Sequence, residues 1–307
     1  MQQNTSHLLM IEPAAFTFNK QTAVNNSFQS TSLINHSQQN ALQEFNAFVQ
    51  VLREHDIDIT VVKDTEQPHT PDSVFPNNWI SFHSNGTIIL YPMFALNRRL
   101  ERKEHVLNCI QEKFNVSKIE NLTAAENENI FLEGTGSMVL DRTNKIAYAC
   151  LSPRTDKNLF ENWCNQLNYK PISFTATDAN GNLIYHTNVM MCVAEQFVII
   201  CLESVTAIKE KEMLLQQFKQ NNKEVIEISF NQMNHFAGNM LQVKNKKNKQ
   251  FLVMSSQAYN SLTQLQIQTI QKYNSIIHSN IKTIETNGGG SARCMIAEIF
   301  LQPKWNL

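Results

Sequence analysis

Val74-Phe75-Pro76-Asn77-Asn78-Trp79-Ile80-Ser81-Phe82-His83-Ser84-Asn85-Gly86-Thr87-Ile88-Ile89-Leu90-Tyr91-Pro92 decides the fold. Asn85-Gly86 joins two apolar runs, the strongest short-range pattern for a β-hairpin, because both residues tolerate the positive φ of a tight turn. Upstream, Leu42, Phe45, Phe48, Val49 and Leu52 recur at helical steps and predict a helix over 37–55, with a β-branched strand over 56–62. A polar loop then leads into the hairpin. The same order of helix, strand, loop and hairpin recurs along the chain. It predicts helices near 98–114, 156–167, 206–220 and 258–273, and strands near 116–120, 171–175, 225–229 and 275–285. Hairpins are expected over 138–149, 184–201 and 239–254, and turns fall near 85, 144, 195 and 247. A period of roughly fifty to sixty residues indicates a repeat architecture. One strand is left over at each end, 8–11 and 294–301. Pairing them closes a ring. The expectation is an α/β fold, a five-bladed α/β propeller, with 1–307 as a single domain.

Composition narrows the partners. The formal net charge of 307 residues is −1, which gives no reason to expect nucleic acid or an acidic membrane surface. The basic run at 244–249 reads as a solvated hairpin tip. No apolar run is long enough to span a membrane, and 1–6 lacks the pattern of a signal peptide. Six scattered cysteines with no Cys-x-x-Cys and no zinc spacing fit reduced thiols in a cytoplasmic protein without a metal or other cofactor.

Glycine use points to the chemistry. Of the eight glycines, Gly86 and Gly181 sit in turns; the others lie just before hairpin strands of the repeat. Gly134 and Gly136 follow Glu133, Gly238 precedes Asn239, and Gly288-Gly289-Gly290 runs up to Cys294. Phe75-Pro76-Asn77-Asn78 and Tyr185-His186-Thr187-Asn188 occupy the same place in their repeats. In a closed ring Asn78, Glu133, His186, Asn239 and Cys294 would therefore meet at the axis. Taken singly, each has a bland reading: a buried structural Cys, a hydrogen-bonded strand-end His, a loop carboxylate. Taken together they suit covalent catalysis, with a thiolate nucleophile, an imidazole to move protons and a carboxylate to orient.

Phe131-Leu132-Glu133-Gly134-Thr135-Gly136, Tyr185-His186-Thr187-Asn188 and Gly288-Gly289-Gly290-Ser291-Ala292-Arg293-Cys294 resemble the guanidine-modifying superfamily in motif order over nearly the whole chain. That group includes arginine deiminases, dimethylarginine dimethylaminohydrolases and amidinotransferases. The resemblance implies the pentein fold, a five-bladed propeller, with Cys294, His186 and Glu133 as catalytic residues. Phe75-Pro76-Asn77-Asn78-Trp79 and Glu133-Gly134-Thr135-Gly136-Ser137 are similar to the citrulline-utilisation hydrolase branch. Arg154 and, competing with Arg99, Arg98 match arginines that hold the substrate carboxylate in the relatives. Asn78, Asn188 and Asn239 complete the implied substrate contacts.

Two positions depart from the family. Those matching Asn78 and Asn188 are aspartates in enzymes acting on a guanidinium. An amide offers a donor, which suits the oxygen of a neutral ureido group and has no counterpart in a guanidinium. The expectation is hydrolysis of a C–N bond in a ureido or guanidino amino acid, citrulline foremost. In that reading Glu133 would hold substrate N–H groups. An arginine deiminase-like or dimethylargininase-like hydrolase, an amidinotransferase and a non-catalytic propeller binding protein are the alternatives.

Overall fold

The computed structural model describes residues 2–30 and 36–304. Among them are five three-stranded sheets of one design. An antiparallel hairpin leads into helical structure, and the next strand pairs parallel with the second strand of the hairpin. Four sheets follow in chain order: Ile80–Phe82, Thr87–Leu90 and Lys118–Asn121; Val139–Asp141, Ile146–Cys150 and Lys170–Phe174; Met191–Val193, Phe197–Ile200 and Glu224–Glu227; Leu241–Lys244, Gln250–Ser255 and Ser275–Ser279. The fifth joins the two ends of the chain: Ala297–Ile299 pairs antiparallel with His7–Glu12, which pairs parallel with Asp58–Lys63. The fold is the expected five-bladed α/β propeller.

The first strand of each hairpin lies inside. Ala297–Ile299 touches Ile80–Phe82, and Met191–Val193 touches both Val139–Asp141 and Leu241–Lys244. Helices cover the outside. Ser37–Glu54 buries Ala41, Phe45, Phe48, Val49 and Leu52, and Lys157–Leu167 buries Phe160, Trp163, Cys164 and Leu167. Each stripe is the apolar face of a 3.6-residue period packed on a sheet.

Several expected elements are differently divided. Pro76–Asn78 is a single 3₁₀ turn rather than strand, with proline at its start. The helix expected over 98–114 is two, Leu96–Arg99 and Glu104–Lys113. The break lets Arg98 and Glu101 turn inward while Val106 and Ile110 pack on a sheet. The helix expected over 258–273 is interrupted before Gln264–Gln271, where Thr263 and Gln266 form a capping box. Strand 275–285 stops at Ser279; Lys282–Gly288 is helical, with Ile281 and Ile284 buried three residues apart. Phe230–Asn234, in a stretch expected as loop, is a helix started by a Ser229–Gln232 capping box. None of the helices in the described residues is long and apolar enough to cross a membrane.

The N-terminal segment also ties sheets together across one end of the axis. Gln3 Nε2 donates to the carbonyls of Leu140 and Val193, and its Oε1 accepts from Arg142 N. Asn4 Nδ2 donates to Gln242 Oε1 and Thr5 Oγ1 to the Ile299 carbonyl. Removing residues 2–12 would strip one strand from the middle of a sheet and expose two edges. The melting temperature is expected to fall by more than about 10 °C. Unchanged thermal unfolding would contradict ring closure by this strand.

Candidate active site

The loops that pass from one sheet to the inner strand of the next gather at one end of the ring. A small cavity of about 10 Å³ lies there, lined by Thr22, Asn26, Asp72, Phe75, Asn78, Arg98, Arg154, Tyr185, His186, Gly288–Gly290 and Cys294. Five of the eight residues singled out from the sequence line this cavity or stand in its wall. Glu133, Asn188 and Asn239 lie directly behind it.

Cys294 is not on the final strand but in the turn before it, where its N–H donates to the Ser291 carbonyl. Ser291 Oγ donates to Glu285 Oε1 at 2.6 Å, anchoring the turn from behind. Cys294 is 3% exposed. Asn188 Nδ2 reaches its sulfur at 3.4 Å and Asn239 Nδ2 at 3.2 Å. Asn239 is itself fixed, its Nδ2 also donating to the Asn188 carbonyl and its Oδ1 accepting from Arg293 N. Asn188 and Asn239, expected as substrate contacts, thus direct their donors onto the sulfur. They face it because each sits in the turn before the inner strand of its own sheet.

His186 Nε2 donates to Glu133 Oε2 at 2.7 Å, leaving Nδ1 as the acceptor nitrogen of the neutral ring. Glu133 is fully buried. Its Oε1 accepts from Phe94 N at 2.9 Å, and Arg154 Nη1 stands 3.6 Å from Oε2. The expectation that Glu133 holds substrate N–H groups is therefore corrected: its oxygens face His186, Arg154 and backbone. Burial alone would raise its pKa, but Arg154, the His186 hydrogen bond and Arg98 outweigh it and hold the carboxyl down at about 2. Burial also lowers the His186 imidazole to about 4, with Glu133 opposing and Arg154 and Arg98 assisting. Glu133 is an anion and the resting imidazole is neutral.

The glycine-rich motif before the sheet explains this packing. Glu133 N donates to Ser137 Oγ, which donates to the Arg154 carbonyl. Thr187 Oγ1 donates to the Ser137 carbonyl at 2.6 Å, joining the His186 turn to the Glu133 turn. A Cβ on Gly136 would stand 2.3 Å from Asn78 Nδ2 and 2.8 Å from the His186 ring, so only glycine lets these side chains approach. Gly289 has φ +64°, the left-handed conformation that ends the helix before the cysteine turn.

The two arginines differ. Arg154 donates to the Thr22 carbonyl and from Nε to Asn25 Oδ1, and lies over the Tyr185 ring at 4.8 Å. Arg98 forks onto Glu101, with Nε to Oε1 and Nη2 to Oε2, both 2.9 Å, and donates from Nη1 to Asn78 Oδ1 at 2.8 Å. Its forked edge is taken, so Arg98 is not free to clamp a substrate carboxylate bidentately. Arg99 points elsewhere, to the Met93 carbonyl and Glu126.

Three cavity residues lay outside the sequence reading. Asp72 accepts from Asn19 Nδ2 and Thr22 Oγ1 through Oδ2, while its buried Oδ1 has no partner. Burial pushes its carboxyl up, with Arg98 opposing. Thr22 and Asn26 belong to a long loop over the cavity, held by Asn26 Nδ2 to the Gly289 carbonyl and Gln29 Nε2 to the Asn287 carbonyl. Asp72 stands three residues before Phe75 in an irregular stretch, and its proline-flanked position was the one available clue. Thr22 and Asn26 carry no pattern that separates them from any polar loop.

No curated protein sequence matches the chain significantly. The fold is shared with ArgZ, an arginine dihydrolase of the ornithine-ammonia cycle in cyanobacteria: 15% identity, TM-score 0.76, over 98% of this chain and 41% of that one. The isolated N-terminal domain of ArgZ, solved with product, gives TM-score 0.74 at 15% identity over 95% of this chain and 97% of the domain. A dimethylarginine dimethylaminohydrolase variant, captured as its adduct with S-methyl-L-thiocitrulline, gives 0.67 at 16% identity over 95% and 99%. The chain therefore spans about two fifths of full-length ArgZ and nearly all of its N-terminal domain. The family model described as N,N dimethylarginine dimethylhydrolase, eukaryotic, matches residues 12–301. With nearly the whole propeller inside that match, the chain belongs to the N,N dimethylarginine dimethylhydrolase family, within the guanidine-modifying superfamily.

Proposed function

We propose that this chain, acting as one propeller domain, is a cysteine hydrolase that cleaves a C–N bond in a ureido amino acid, citrulline fitting best. The charge inventory of the cavity carries the reading. Its ionic lining is Arg98, Arg154 and Asp72, and beside Cys294 and His186 it offers the unpartnered amide donor of Asn78. Asp72 Oδ1 suits an α-ammonium, and Arg154 an α-carboxylate once Asn25 gives way. Asn78 Nδ2 suits a carbonyl oxygen. A guanidinium would bring a further positive charge beside His186, whose carboxylate partner, Glu133, is already committed to His186 and Arg154. As folded, the cavity has room for little more than a water. Substrate entrance therefore requires the loop carrying Thr22, Asn25 and Asn26 to part.

His186 Nδ1 takes the proton of the Cys294 thiol as the sulfur attacks the ureido carbon, while the Asn188 and Asn239 amides stabilise charge on the sulfur. The bond from that carbon to the δ-nitrogen breaks, and ornithine leaves with a proton from His186 Nδ1. Glu133 stabilises the imidazolium that forms before that transfer. His186 then takes a proton from water, which attacks the carbamoyl thioester. Carbamate departs and decomposes to carbon dioxide and ammonia, and the departing sulfur takes the proton back from His186. A second reading, an arginine dihydrolase as ArgZ is named, is favoured by the extent of the structural match over that domain.

Incubation with citrulline, arginine, methylated arginines and agmatine separates the readings. Ornithine should form from citrulline with the highest kcat/KM; faster consumption of arginine would favour the second. Cys294→Ala should abolish turnover and keep the fold, whereas alanine at Cys150, Cys164, Cys192 or Cys201 should leave a substantial rate. Activity above a trace in Cys294→Ala would remove the nucleophile assignment.

The pH profile tests the His186–Glu133 couple. A neutral imidazole held at about 4 places the acid limb of kcat/KM near that pH instead of near 6.5. Glu133→Gln removes the group that favours imidazolium, so it should lower the His186 pKa further and reduce kcat by roughly 10²- to 10⁴-fold. An acid limb at the ordinary imidazole value in the native enzyme would contradict the couple.

A further inference from the structure

We infer that Glu101, which does not line the cavity, is a positioning residue that sets the substrate preference of the site through Arg98 and Asn78. A buried hydrogen-bond chain of fixed direction joins the three residues. Glu101 accepts from Arg98 through both oxygens at 2.9 Å. Arg98 donates from Nη1 to Asn78 Oδ1 at 2.8 Å and from Nη2 to the Phe75 carbonyl at 3.1 Å. Asp72 Oδ2 lies 3.9 Å from Arg98 Nε. Glu101, Arg98 and Asn78 are each 3% exposed.

A guanidinium has only donors. With Arg98 fixed, Asn78 cannot turn its amide round, because that would set N–H against N–H. The acceptor Oδ1 stays on Arg98 and the donor Nδ2, which has no protein partner, is left buried beside Gly136 and His186. An isolated asparagine could present either end to a ligand. This one can present only its donor, so the ligand atom that meets it must be an acceptor. A ureido oxygen meets that demand and a guanidinium nitrogen does not.

The sign of the preference rests on the ureido reading above; the coupling of the three residues does not. The test is a mutant cycle read as the kcat/KM ratio for citrulline over arginine, which does not depend on the amount of folded enzyme. Removing one partner of a buried ion pair strands the other charge, whereas replacing both with apolar residues is often neutral. The double variant Arg98→Met, Glu101→Leu frees the Asn78 amide and should lower the ratio about ten-fold. Asn78→Ala should also lower it in the native background, and should change it little once the pair is gone. Equal fold-changes in the two backgrounds would mean independent residues and would overturn the inference. Should the double variant not fold, Arg98→Lys serves: an ammonium cannot hold Glu101 and Asn78 in one planar fork, and the ratio should again fall. An unchanged ratio in Arg98→Lys overturns the inference. Should native turnover be too slow, the same ratio is read from dissociation constants in Cys294→Ala protein. A native preference for arginine, with the cycle still non-additive, defeats the ureido reading and leaves the coupling standing; a native preference for citrulline with an additive cycle defeats the coupling alone.

Discussion

The Glu133 carboxylate is the constraint on which the site depends. It is fully buried, accepts hydrogen bonds from His186 Nε2 at 2.7 Å and Phe94 N at 2.9 Å, and has Arg154 within 3.6 Å. An unpaired carboxylate in such a place would be costly, and these partners together make its charge the stable state. They come from different turns of the ring. Satisfying one anion therefore fixes the approach of the Glu133 turn, the His186 turn and the Arg154 loop. The Ser137 and Thr187 hydroxyls repeat the same linkage through backbone.

The ring converts local turns into a constellation. No two of Asn78, Glu133, His186, Asn239 and Cys294 are close in sequence, yet each precedes the inner strand of its own sheet. Closure by His7–Glu12 brings Cys294, near the end of the chain, beside side chains from the middle. Two amides on the sulfur, an anion behind the imidazole and two arginines with one free aspartate oxygen give a site organised by charge rather than by apolar fit.

Much of this was legible in the sequence because the repeat has a strong local mark. Asn85-Gly86 and its counterparts predicted the hairpins, and position within the repeat predicted which residues converge. What the sequence did not disclose depends on direction and on unpatterned segments. Asn188 and Asn239 were placed at the site, but that their donors turn to the sulfur follows from three-dimensional packing alone. Arg98 was placed there too, while its fork onto Glu101 depends on the broken helix after Arg99. Glu133 is legible as a site residue, but composition does not say which of its lone pairs face the protein. Residues 282–285 read as strand because two isoleucines, Ile281 and Ile284, are too few to fix a period. Asp72, Thr22 and Asn25 lie in irregular loops, where neither period applies.

The most direct test of a ureido hydrolase acting through Cys294 is intact-protein mass spectrometry of enzyme quenched during turnover of citrulline, followed by peptide mapping. The account predicts a mass increase of one carbamoyl group, confined to the peptide that contains Cys294 and lost on further incubation. An adduct retaining the ornithine carbon skeleton, or a carbamoyl group on another residue, would contradict it.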